Sequence, residues 1–113
     1  MPDTKSRDLF PGAIEMMVLR LLRQEPMHGY ALVQRIQQAS NNLLQVEEGS
    51  LYPALQRLLK DGLVAAEWGV SSTNRRVRVY RLTTAGARHL TQQVSSFTRM
   101  FEGINLVLAG GNA

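Results

Sequence analysis

The chain has 113 residues, enough for one domain with at most one appended element, and its 44% apolar content argues against global disorder. It has no cysteine, which excludes disulfides and thiolate metal sites; no apolar run approaches the roughly 18 residues of a membrane span, and no signal-peptide core follows the first charges, so the expected compartment is the cytoplasm. The net charge of +4 is a mild excess, but its placement is uneven: Arg75, Arg76, Arg78 and Arg81 follow one another with no acid between them.

Residues 1–9 read as a flexible polar arm. A first helix is predicted over about Pro11–Gln24, where Ile14, Met17, Val18, Leu21 and Leu22 share a face. Met16 and Leu19 lie off that stripe, so the helix should be covered on two sides, one of them open to a second subunit. Pro26 ends this helix. A second helix is predicted over His28–Ser40 with Leu32, Val33, Ile36 and Ala39 inward, His28 serving as a cap or making a structural bond, and Asn41-Asn42 as the break.

A third helix is predicted over Ser50–Asp61, with Ser50 as N-cap and Gly62 as stop. Leu51, Leu55, Leu58 and Leu59 lie on one face; Tyr52, Pro53, Gln56, Arg57 and Lys60 lie on the other. Leu63–Trp68 and Arg76–Leu82 then read as a hairpin with a long loop, and Trp68 and Tyr80 are expected to pack it against the helices. A final helix, capped by Thr83 or Thr84, should run to Ala109, with a tail over residues 110–113. Ala87, Leu90, Val94, Phe97, Phe101, Ile104 and Leu108 alternate in steps of three and four, the spacing of a helix packed on another long helix.

The expected fold is mainly α with a small β-hairpin: a winged helix-turn-helix over residues 10–82, followed by a dimerisation helix over 83–109. At this point the chain resembles the PadR-like transcriptional regulators, in their short form with a single C-terminal helix. The likeness rests on Pro26–Leu32 (PMHGYAL), on Glu48–Val64 (EGSLYPALQRLLKDGLV) and on Asn74–Gly86 (NRRVRVYRLTTAG), and it spans about residues 12–95. It implies a homodimer held by the C-terminal helices, an operator of inverted half-sites, and repression relieved by a small effector. Some short members of that family bind aromatic drugs through a tryptophan on the final helix; here the single tryptophan is Trp68, in the hairpin.

Read as a DNA-binding module, the third helix offers Ser50, Tyr52, Gln56, Arg57 and Lys60 to a groove, with Arg57 suited to guanine, Gln56 to adenine and Lys60 to phosphate. The hairpin adds Arg75, Arg76 and Arg78; strand alternation means that these three and Arg81 cannot all face DNA, and one or two of the four are expected to pair with acids such as Glu67 on the neighbouring strand. Leu90, Val94, Phe97, Phe101, Ile104 and Leu108 are the expected dimer contacts. Met16, Leu19, Phe97, Met100 and Phe101 are the candidate lining of a pocket for a small apolar effector. Double-stranded DNA and a second copy of the chain are the expected partners, with no membrane, no metal and no cofactor. Two other classes stand beside DNA binding. A winged helix can serve as a protein-interaction module without binding DNA, and an enzyme would need a nucleophile motif, a phosphate loop or paired histidines that this sequence does not carry.

Overall fold

A computed structural model describes residues 4–5 and 9–110; of the predicted arm and tail, residues 1–3, 6–8 and 111–113 lie outside the described residues. The elements run β1 (Thr4–Lys5), α1 (Ala13–Leu22), β2 (Met27–His28), α2 (Gly29–Ala39), β3 (Leu44–Gln45), α3 (Glu48–Lys60), β4 (Val64–Val70), β5 (Arg76–Leu82) and α4 (Thr84–Leu108). Four helices and a small antiparallel sheet therefore appear in the expected order. Among the described residues no helix is long and apolar enough to cross a membrane.

The helix boundaries follow from identifiable caps. In α2 the backbone N–H of Ala31 donates to His28 Nδ1 at 3.4 Å, so His28 is the N-cap. The helix stops where Asn41 and Asn42 turn left-handed (φ 53° and 65°) and Asn42 N–H reaches back to the Gln37 carbonyl. In α3 the start differs from the prediction. Ser50 lies inside the first turn, donating its N–H to the Glu47 carbonyl, and Glu47 is the capping position. The cause is apolar. Val46 and Leu51, one residue before the cap and four after it, are both fully buried in the same core and staple the helix entry there. At the other end Gly62 (φ 72°) and Leu63 return their N–H groups to Leu59 and Leu58, closing the helix with a left-handed glycine.

The core is built from Val18, Leu19, Leu22, Leu32, Ile36, Val46, Leu51, Leu55, Leu58, Val64, Tyr80 and Leu90. Four expectations change here. Ala39 is exposed, and Ala54 replaces Leu59 on the fully buried stripe of α3. Leu19 is fully buried, because the body of the domain covers both sides of α1 at that level. Leu90 is 1% exposed, so the first two turns of α4 belong to the domain core and Leu90 is not offered to a second chain.

The sheet has three strands in the order β2-β5-β4, both pairings antiparallel. The hairpin was expected; the third strand was not. Met27 pairs with Tyr80 and His28 with Val79, which ties the entrance of α2 to the base of the hairpin. The arm also differs from expectation, since Thr4–Lys5 pairs in parallel with Leu44–Gln45.

Thr83 joins the parts. Its side chain accepts from Gly86 N–H at 3.0 Å, capping α4, and donates to the Gly62 carbonyl at 2.8 Å. Its own N–H reaches the Leu63 carbonyl at 3.2 Å. One residue thus links the end of α3, the start of β4 and the start of α4.

Candidate nucleic-acid interface

The buried stripe of α3 is Leu51, Ala54, Leu55 and Leu58. At about 100° per residue the line directly opposite is Gly49, Pro53, Gln56 and Lys60. Gln56 and Lys60 are exposed on it. Tyr52 and Arg57 lie on the two flanks of that line, and they meet different neighbours.

Tyr52 flanks a groove of about 760 Å³ between the start of α2 and the hairpin, lined also by Tyr30, Trp68, Arg75, Arg76 and Arg78. Burial raises its hydroxyl pKa above the ordinary 10.0, and the Glu48 carboxylate and Tyr80 push the same way. The hydroxyl therefore stays neutral at any ordinary pH and can donate to an anion. Tyr52 is set in place by Gly29: a Cβ at residue 29 would come within 2.7 Å of the Tyr52 hydroxyl and 2.8 Å of its ring. Glycine at the first position of α2 leaves the space that the Tyr52 ring occupies.

Arg57 leans the other way. Its Nη2 donates to Glu15 Oε1 on α1 at 3.1 Å. The expected guanine reader is thus engaged with α1, away from the groove. Glu15 is the more enclosed partner, with 18% of its side chain exposed against 59% for Arg57. The sequence offered no sign of this pair, because 42 residues separate its members.

The hairpin loop is closed by Ser71, whose N–H donates to the Arg75 carbonyl at 2.8 Å and whose Oγ accepts from Arg75 N–H at 3.2 Å. Asn74 supplies the left-handed residue (φ 62°). On β5 the face shared by Arg76, Arg78 and Tyr80 is turned to the groove. Tyr80 is buried at its base, while Arg76 and Arg78 are exposed farther out. Arg81 pairs with Glu67 across the strands at 3.5 Å. Trp68 departs from expectation. It is 60% exposed, and Arg76 lies over its ring, 4.3 Å from the centroid.

Of the candidate effector residues, Met16, Phe97 and Met100 come together with Phe10 in a cleft of about 390 Å³ between α1 and α4. Leu19 is in the core, and Phe101 lies outside the cleft, stacked on Phe97 with centroids 5.8 Å apart. Gln93 also lines the cleft, with Oε1 buried and without a hydrogen-bond partner. Of the candidate dimer residues, Val94, Phe101, Ile104 and Leu108 are exposed, and Phe97 is half-covered by Phe10, ring edge to face at 6.4 Å.

Known proteins share this fold. A transcriptional regulator from Mycobacterium tuberculosis is 36% identical over 86 residues, 76% of this chain and 77% of that protein. The structure of a transcriptional regulator from Clostridium thermocellum superposes with a TM-score of 0.77 at 27% identity, covering 84% of this chain and 92% of the other. Bacillus subtilis PadR, solved in complex with operator DNA, shares the fold with a TM-score of 0.65 at 21% identity, over 73% of this chain and 46% of that one. The sequence profile of the transcriptional regulator PadR-like family matches residues 18–92. The chain belongs to that family, whose members are transcriptional regulators and not enzymes.

Proposed function

We propose that this protein is a homodimeric, cytoplasmic repressor that binds an inverted-repeat operator. The observation that carries the reading is the convergence of cations and donors on one side of the domain. Gln56 and Lys60 project from α3, and Tyr52, Arg75, Arg76 and Arg78 surround the adjoining groove. In this reading α3 enters the major groove, where Gln56 meets a base edge and Lys60 a phosphate. The hairpin arginines follow the neighbouring backbone. Ser50, half-buried in the first turn of α3, contributes a hydroxyl near the helix N-terminus. Arg57 orients α3 on α1 through Glu15 rather than reading a base.

Selection of genomic fragments by the purified protein tests this. The wild type should recover one inverted repeat. Lys60→Ala should weaken binding to all sequences and lower the salt slope by about one unit. Gln56→Ala should relax preference at a single position of each half-site. Recovery of random fragments, or of none, would reject site-specific regulation and favour the protein-interaction reading.

Relief of repression is assigned to the cleft between α1 and α4. Its lining of Phe10, Met16, Phe97 and Met100 suits a small apolar effector, and Gln93 Oε1 suits a single hydrogen-bond donor on it. Thr83 transmits the change, since α4 cannot tilt without disturbing the end of α3. An effector acts this way only if it binds the DNA-competent and released arrangements with different affinity. Titration of the operator complex with apolar amines and phenols is the check: a ligand that occupies the cleft and leaves operator affinity unchanged would sink this part of the reading.

A further inference from the structure

The hairpin carries one large aromatic side chain that the core does not use. Trp68 stands directly opposite Arg78 on the neighbouring strand, and Arg76 is its diagonal neighbour on the same face. The sheet explains why Trp68 stays 60% exposed. The third strand, β2, reaches only Tyr80 and Val79, so beyond that point the hairpin leaves the body of the domain. The guanidinium of Arg76 is what lies over the indole, at 4.3 Å. Both side chains line the groove that Tyr52 and Tyr30 border.

We propose that Trp68 is a positioning residue for DNA binding: its indole is the shelf that holds the Arg76 guanidinium in the groove, ready for a backbone phosphate. An unrestrained arginine must give up most of its rotamer freedom to make such a contact. Stacking on an aromatic face removes much of that freedom before DNA arrives, and a delocalised cation is attracted to the ring face while its edge N–H groups stay available to a phosphate. Arg76 is the arginine seated on the ring; Arg81 is turned to Glu67, and Arg75 sits on the loop. Trp68 thus acts through Arg76.

The inference rests on the DNA-binding reading, and its test separates the two. Wild type, Trp68→Ala, Trp68→Phe, Arg76→Ala and the double variant are titrated with a labelled mixed-sequence duplex of roughly 30 base pairs across a salt series. Trp68→Ala should weaken binding about two- to fivefold with the salt slope retained, whereas Arg76→Ala should also lower the slope by about one unit. The double variant should bind no more weakly than Arg76→Ala alone, and Trp68→Phe should recover most of the wild-type affinity. Because Trp68 is the single tryptophan, its emission reads the stack directly, and Arg76→Ala should change it without DNA. Additive losses, or an emission spectrum indifferent to Arg76→Ala, would overturn the shelf while leaving DNA binding intact. A wild type that retained no duplex would overturn the DNA-binding reading, and the shelf with it.

Discussion

Gly86→Ala is expected to destabilise the domain by about 3 kcal/mol or more, lowering the melting temperature by roughly 10 °C or more. A Cβ at residue 86 would lie 2.0 Å from the Leu63 carbonyl oxygen and 2.7 Å from Leu82 Cδ1. The Leu82 side chain could move aside; the carbonyl could not do so cheaply. It accepts the Thr83 N–H, and its own residue forms the turn by which α3 passes into β4. Relief would pull apart the joint that Thr83 makes, so DNA affinity should fall even in the fraction that remains folded. The matched control lies in the same helix. Gly103 is exposed, with nothing within 4 Å of its would-be Cβ. Gly103→Ala should therefore stabilise by about 0.5–1 kcal/mol through helix propensity alone. Thermal melts of the two variants decide the matter. If Gly86→Ala melted with the wild type, the joint would be looser than its geometry implies, and the route from α4 to α3 through Thr83 would lose its support.

The joint also illustrates what the sequence could reveal. Thr83 as a cap and Gly62 as a stop are local signals, legible because capping chemistry acts within a few residues. The hairpin, and the expectation that one of its arginines pairs with Glu67, follow from strand alternation, which is local too; that the arginine is Arg81 is shown by the structure. What stayed hidden depends on contacts between distant segments. Two residues of β2 carry no periodicity of their own, and their pairing with β5 exists only because the turn at Pro26 delivers them to its edge. Arg57 looked free on a helical wheel; whether Glu15 would stand beside it depended on how α1 crosses α3. Leu90 belongs by spacing to the apolar seam of α4, and only the depth at which α4 enters the domain moves it into the core. Trp68 was misplaced for a related reason. An aromatic residue in a strand can pack inward, but β2 pairs only with Tyr80 and Val79, and Trp68 stands beyond it with Arg76 over its ring.

Phe101→Asp is expected to convert a dimer into a folded monomer and to cost about 10²–10⁴-fold in affinity for the full inverted repeat, the loss that follows when two linked half-site contacts become independent. The argument begins with the outer half of α4. From Thr98 to Gly110 every residue is exposed in the single chain, including Phe101, Ile104, Val107 and Leu108. A helix of 25 residues is about 38 Å long, and the cleft it shares with α1 extends only as far as Met100. Phe97, Phe101, Ile104 and Leu108 fall on one face, while Met100 and Val107 extend it toward the cleft. A stripe this wide suits two covering elements, which a second copy's α4 and α1 would supply around a two-fold axis. Leu106, also exposed, lies roughly 160° round the helix from Leu108 and off that face. Leu106→Asp should therefore leave mass and affinity unchanged. Sedimentation of both variants separates the outcomes, with 12.6 kDa marking the monomer. Binding to an isolated half-site should be the same for wild type and Phe101→Asp, because neither α3 nor the hairpin is touched. A Phe101→Asp variant that still sedimented at twice the monomer mass would place the dimer contact elsewhere. If Leu106→Asp dissociated as readily, the interface would wrap the whole circumference of α4 and the single-face account would be wrong.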